Sequence, residues 1–272
     1  MKHLSPQNPA RAHRPPKAKQ YKEGAQKILA LLGGIDPSGK AGLMADYQTC
    51  DHFGIAAHCL PTALTIQSDK EYLGHHTTPL PFFQQALDHI FNLQNLGAIK
   101  IGMMPSREQF FLLMQTLADY KKNHPDLFVV WDPVIKSSSG GKLAPDDVNT
   151  WLGDAKNNID LITPNAEEAC FFLNHNFNEN LKAKVLAKAF WERFQIPVYL
   201  KGGHLAEQAS DVLLTAHTEQ ELTGVVSKKK IRGTGCRLAT AIACGVLKTG
   251  DVVQACKEAK EFMNQIFSKN HP

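Results

Sequence analysis

Lys27-Ile28-Leu29-Ala30-Leu31-Leu32, then Gly33-Gly34-Ile35-Asp36-Pro37-Ser38-Gly39, then the run from Ala41 to Phe53, is the stretch whose reading decides the fold. The first part is apolar enough for a buried strand, the glycine and proline cluster marks a turn, and the last part is amphipathic with a helical period. The unit recurs. Further strands are expected at Ala56–Thr65 (interrupted by Pro61), Ala98–Ile101, Leu127–Trp131, Ile159–Ile162 and Pro197–Leu200. Helices are expected at Phe82–Gln94, Arg107–Lys122, Asp146–Asn157, Leu181–Phe194, Cys236–Lys248 and Asp251–Phe267. Such alternation predicts βαβ units and one α/β domain built on a mainly parallel sheet. An antiparallel pair, Asp211–Ala216 with Thr223–Lys228, is expected at one edge, and His75-His76 in a surface loop.

The 272 residues, 43% hydrophobic and 21% charged, are ordinary for a globular chain with a sizeable core. The net charge of +4 is unevenly placed. Residues 1–26 hold six Lys or Arg against Glu23 alone, a charge of +5 that leaves −1 for the remainder. With Pro6, Pro9, Pro15 and Pro16 this segment reads as a disordered tail, and 27–272 as the single folded domain. The basic balance therefore does not describe a nucleic-acid-binding face. A transit peptide is disfavoured by the prolines and the scarcity of Ser and Arg. No run is apolar enough to span a bilayer or to form a secretory signal, so a cytoplasmic protein without a membrane partner is expected. Six dispersed cysteines without a Cys-x-x-Cys pair oppose a zinc site or disulfide framework. Five of them are expected to be buried and apolar; Cys236 alone has a context that lowers a thiol pKa.

In an open α/β sheet, ligands bind beyond the carboxyl ends of the strands. The turns there contain Gly34 and Asp36, Gln67, Gly102-Met103, Asp132-Pro133, Thr163-Pro164-Asn165 and Lys201-Gly202-Gly203-His204. Towards the same end Gly233-Thr234-Gly235-Cys236 opens a small-residue helix, whose unpartnered N–H groups and dipole favour a phosphate or a thiolate. Alone, this turn is equally consistent with close packing. Each companion also has a plainer reading: Asp132 as a turn residue, Glu168 as a complement to a helix dipole, Lys201 as a solvated lysine, Met103 as core, His204 as loop stabiliser. Together they favour phosphoryl chemistry.

These ordered motifs, with Ala41-Gly42, Ala45-Asp46, Thr62-Ala63-Leu64 and Lys100-Ile101, resemble the ribokinase-like small-molecule kinases. Among them the likeness is to the hydroxymethylpyrimidine and phosphomethylpyrimidine kinases of thiamine biosynthesis. The resemblance spans roughly Lys27 to Phe267 and implies a three-layer α/β/α architecture with helices on both faces of the sheet. It implies transfer of the γ-phosphoryl of ATP, with Mg²⁺, to 4-amino-5-hydroxymethyl-2-methylpyrimidine and then to its monophosphate. Gly233, Thr234 and Gly235 would donate N–H groups to the transferring phosphoryl, and Cys236, as a thiolate, would take the hydroxyl proton. Asp132 and Glu168 would organise Mg²⁺, Asn165 and Lys201 would serve ATP, and Gln67 would read the aminopyrimidine edge. Gly34, Asp46 and Met103 would line the same pocket, and the assembly would be a homodimer.

Three positions depart from the family pattern: Lys40 for glycine, Arg232 for histidine and Arg237 for threonine. Ile66-Gln67-Ser68-Asp69 also departs from the usual Ala-Gln-Asn-Thr. The added cations are expected to lie near phosphates, favouring a phosphorylated acceptor or tightening nucleotide binding. Pyridoxal kinase is the nearest alternative enzyme and a silent ligand-sensing homologue the alternative of another class. A cysteine hydrolase is weaker, because no histidine pairs with Cys236.

Overall fold

A computed structural model describes residues 27–68, 70–137, 140–203, 210–224 and 231–269; the tail, His204 and 225–228 of the expected hairpin lie outside them. The chain begins with β1 (Ile28–Ile35), α1 (Gly42–Phe53), β2 (Ala57–Gln67) and β3 (Tyr72–Thr77). Then follow α2 (Leu80–Phe91), β4 (Leu96–Ile101), α3 (Arg107–Lys121) and β5 (Phe128–Trp131). A 3-10 turn at Val148–Trp151 runs into α4 (Leu152–Ala155), followed by β6 (Leu161–Ile162), α5 (Ala166–Leu173) and α6 (Ala183–Phe194). The rest is β7 (Val198–Leu200), β8 (Ser210–Leu214), β9 (Glu219–Thr223), α7 (Thr234–Thr249) and α8 (Val252–Lys269).

Among the described residues the strands form one sheet in the order β3-β2-β1-β4-β5-β6-β7-β8-β9. The six from β2 to β7 are parallel, while β3 and the β8–β9 pair are antiparallel. Strand alternation separates two cores. Ala30 and Leu32 of β1 join the core under α2, α3, α5 and α6, whereas Leu29 and Leu31 join the core under α1, α7 and α8. That is the three-layer arrangement, and burying the sheet on both faces is why its strands read as continuous apolar runs.

Local departures have identifiable causes. β2 continues through Pro61, which sits opposite Gly33 at a register shift and before β3 pairing begins at Ala63; there the missing N–H removes no bond to β3. His75 and His76 belong to β3, not to a loop. This edge strand is polar and half-exposed, so it carries no apolar signal, and backbone pairing with β2 defines it. The hairpin turns earlier than expected: Thr215 and Thr218 close it through Thr215 N–H to Thr218 O at 2.8 Å, placing the second strand at Glu219–Thr223. The helix expected over Asp146–Asn157 is only the 3-10 turn and one α turn. Cys59 is exposed, not buried, because its side chain falls on an exposed position of β2.

Candidate active site

Lys201 follows β7 and Asp132 follows β5, so the sheet itself brings them together: Nζ donates to Oδ1 at 2.8 Å. Thr163, after β6, donates to the same oxygen at 3.3 Å. Oδ2 of Asp132 is buried and accepts from nothing among the described residues. Glu168 stands 3.8 Å from the Lys201 ammonium. It is fixed by a reciprocal capping box at the start of α5, in which Asn165 Oδ1 accepts from Glu168 N–H and Glu168 Oε2 accepts from Asn165 N–H, each at 2.8 Å. Asn165 is also bridged to Lys201 through the backbone. Burial pushes the Glu168 carboxyl up, Lys201 pulls it down and Asp132 pushes it up again, leaving it at about 7. Burial disfavours the Lys201 ammonium, but Asp132 and Glu168 outweigh it and hold the group charged.

Gly233 caps α7 with φ 73°, a left-handed conformation natural to glycine, and α7 itself begins at Thr234 rather than at Cys236. A Cβ on Gly235 would lie 3.1 Å from Lys201 Nζ and 3.5 Å from Asp132 Oδ2. The missing side chain thus lets the helix start approach the orphaned carboxylate oxygen. Here N–H dipoles, an ammonium and two carboxylates meet, as an ATP phosphate with a partly hydrated divalent cation requires.

Cys236 lies one turn before Thr240 on α7, and Thr240 Oγ1 donates to Asp46 Oδ1 at 2.7 Å. Asp46 Oδ2 accepts from Lys100 Nζ at 2.7 Å, and both charged side chains are buried. Asp46 is therefore paired inside the fold beneath α7, with both carboxylate oxygens bonded. Lys100 had no assigned role in the sequence; a cation inside the otherwise apolar strand Leu96–Ile101 was the available signal. Burial pushes the Cys236 thiol up, Lys100 draws it down, and Asp46 and Asp132 raise it further, to about 11, despite a bond from Gly42 N–H. Desolvation thus works against the expected thiolate in the free protein.

Gln67 ends β2, and Gly34 lies near the end of β1 against Met103, where a Cβ would come within 2.7 Å of Sδ. Met103 is buried with Ala63 and Leu143, and its carbonyl accepts from Thr62 Oγ1 at 2.6 Å. Two of the basic departures, Arg232 and Arg237, are engaged by groups of the fold. Arg232 Nη2 pairs with Asp36 Oδ2 at 3.1 Å and donates to Gln67 Oε1 at 3.0 Å, while Nη1 donates to Ser68 O. Arg237 donates to Lys40 O at 2.7 Å and to Gln48 Oε1 at 3.1 Å. Both arginines hold the α7 start against the Asp36–Lys40 turn, a tertiary use that spacing does not disclose.

A sheet of this order, with an ammonium, two carboxylates and a helix start gathered beyond its parallel strands, has the ribokinase-like α/β fold. The profile of the phosphomethylpyrimidine kinase family matches residues 36–272, and the chain belongs to that family. It is 32% identical over 241 residues to the hydroxymethylpyrimidine/phosphomethylpyrimidine kinase of Aquifex aeolicus, covering 88% of this chain and 93% of that one. The phosphomethylpyrimidine kinase of Clostridium difficile 630 superposes with a TM-score of 0.72 at 23% identity, covering 88% of this chain and 99% of that one. An ADP complex of Bacillus subtilis pyridoxal kinase does so with 0.76 at 23%, covering 87% and 90%. At these identities the structural likeness speaks for the fold.

Proposed function

We propose that the protein transfers the γ-phosphoryl group of ATP to the hydroxymethyl oxygen of 4-amino-5-hydroxymethyl-2-methylpyrimidine, and then to the resulting monophosphate. Family membership supports the substrate class. The observation that carries the site assignment is the Lys201–Asp132 pair set against Gly235, with one Asp132 oxygen buried and unbonded. Lys201 and Asn165 would hold ATP, and the N–H groups of Gly233, Thr234 and Gly235 would receive the phosphoryl oxygens as their charge spreads. Gln67, Gly34 and Met103 would bind the acceptor ring, with Asp46 acting from below through Lys100 and Thr240.

Asp132 and Glu168 fit Mg²⁺. Two carboxylates with water suit a cation that keeps much of its hydration, and a buried Oδ2 without a donor is a position that a cation would satisfy. When bound, magnesium supplies positive charge to the ATP phosphates. Cys236 would accept the hydroxyl proton; burial pushes its thiol up to about 11, so the thiolate would form as solution pH approaches that value or as the bound complex stabilises it.

We further propose that 27–272 work as one kinase domain, that the enzyme is a cytoplasmic homodimer, and that its partners are small molecules rather than nucleic acid or membrane. The exposed Met44 and Tyr47 of α1, with Leu64 and Ile66 of β2 and Leu73 of β3, support self-association. Among the described residues, no helix is long and apolar enough to cross a membrane. A coupled ADP-release assay with the hydroxymethylpyrimidine, its monophosphate and pyridoxal tests the reaction. ADP from both pyrimidines is expected; ADP with pyridoxal alone would reassign the enzyme, and none in a folded, ATP-binding protein would sink the kinase reading.

A further inference from the structure

We infer that Arg232 is a specificity-determining residue of the acceptor site, acting by fixing Gln67 as a hydrogen-bond donor towards the ring. The inference rests on the reading of Gln67 as an acceptor-binding residue. A guanidinium has donors only, so the Gln67 atom 3.0 Å from Arg232 Nη2 must be the carbonyl oxygen, which removes the ambiguity between the two ends of the amide. Gln67 has its N–H donors left to offer, and among the described residues no acceptor is bonded to them. A ring presented to this edge must therefore bring a lone pair, as a ring nitrogen or carbonyl does.

Two further observations make the clamp rigid and nearly neutral. Asp36, buried, pairs with Arg232 at 3.1 Å and accepts from Ser38 N–H at 2.9 Å and from Ala41 N–H at 3.0 Å, so the guanidinium charge is balanced within a fixed turn. Arg232 Nη1 also donates to Ser68 O, the residue after Gln67. One side chain thus ties the turn after β1, the end of β2 and the residue before Gly233. Selection by this device follows the hydrogen-bonding edge of the ring, and a phosphate already on the acceptor is not what Arg232 reads.

The test is a double-mutant cycle with Arg232→Ala and Gln67→Met, measuring KM for the hydroxymethylpyrimidine, for its monophosphate and for ATP. Arg232→Ala should raise both acceptor KM values alike, about three- to tenfold for a lost oriented hydrogen bond, with the ATP KM unchanged. On the Gln67→Met background the same substitution should cost almost nothing, because the group it orients is gone. A rise confined to the monophosphate would make Arg232 a phosphate ligand and overturn the proposal. An undiminished cost on the Gln67→Met background would reduce Arg232 to a loop brace and also overturn it; in either case wild-type turnover would leave the kinase reading standing. Failure of the wild type to release ADP with both pyrimidines would remove the kinase reading and this proposal with it. If Arg232→Ala fails to fold, Arg232→Lys serves, since it keeps a cation for Asp36 but loses the two-handed guanidinium reach to Gln67.

Discussion

Two lysine–aspartate pairs lie close together in this molecule, with almost the same separation and opposite states of completion. Lys100 and Asp46 meet at 2.7 Å with side chains 1% and 0% exposed, and Thr240 satisfies the second Asp46 oxygen. Lys201 and Asp132 meet at 2.8 Å with 16% and 1% exposed, and the second Asp132 oxygen has no donor. The first pair is closed and holds α1, β4 and α7 together. The second is open beside a glycine-cornered helix start. Residue type and distance do not distinguish support from site; the unsatisfied oxygen does.

Breaking the closed pair should have the largest effect. Lys100→Met leaves Asp46 buried without its cation and should cost about 3–5 kcal/mol of stability by denaturant unfolding, whereas Lys100→Met with Asp46→Leu should recover most of it. Recovery of nothing would mean that the pair is not the unit of stability. Breaking the open pair should instead be read in rate. Lys201→Met should lower kcat about 10²- to 10³-fold, a loss of roughly 3–4 kcal/mol of transition-state stabilisation, with a smaller loss of stability than Lys100→Met because this pair is partly open to solvent.

Cys236 lies between the pairs and tests which one governs it. If its thiol takes the hydroxyl proton, kcat/KM should rise between pH 7 and 9 by up to about tenfold per unit, because the thiolate fraction grows below a pKa near 11. Cys236→Ala should be slow and without that limb, and a flat wild-type profile would exclude the cysteine as base.

The smallest effect sharpens the open pair. Glu168 has a folded pKa of about 7 against an ordinary 4.5, so the native state binds its proton more tightly than the unfolded chain. Its contribution to stability is complete below pH 4.5 and is lost as pH rises through 7. Glu168→Gln keeps a carbonyl for the Asn165 cap and should raise the melting temperature of the ligand-free protein at pH 8 by about 2–4 °C, near 1 kcal/mol, while lowering activity. Magnesium with ATP should erase the wild-type deficit, and a lower melting temperature for Glu168→Gln would show that burial does not penalise the ionised form.

Much of this was legible in one dimension. Strand and helix periods placed β1, β4, β5, α1, α3 and α7 within a few residues, because both-face burial writes itself as apolar runs and amphipathic stripes. The rule that strand ends gather ligands singled out Asp132, Lys201 and the Gly233–Gly235 turn, and the structure brings them together. Edge strand β3 was not legible, since its identity comes from pairing with β2. The pairing of Asp46 was not legible either, since Lys100 and Thr240 are distant in sequence.

By itself the sequence determined the α/β architecture, the family and the position of the glycine turn that opens α7, because periodicity, turn residues and glycine at a helix start act locally. Only the tertiary structure decided which charges remain available. Whether a carboxylate is satisfied, a thiol protonated or an arginine already paired depends on partners tens to nearly two hundred residues away, as Arg232 with Gln67 and Asp36 makes plain. Desolvation, which sets Cys236 and Glu168, is likewise a property of what is packed around a group and not of its neighbours in the chain.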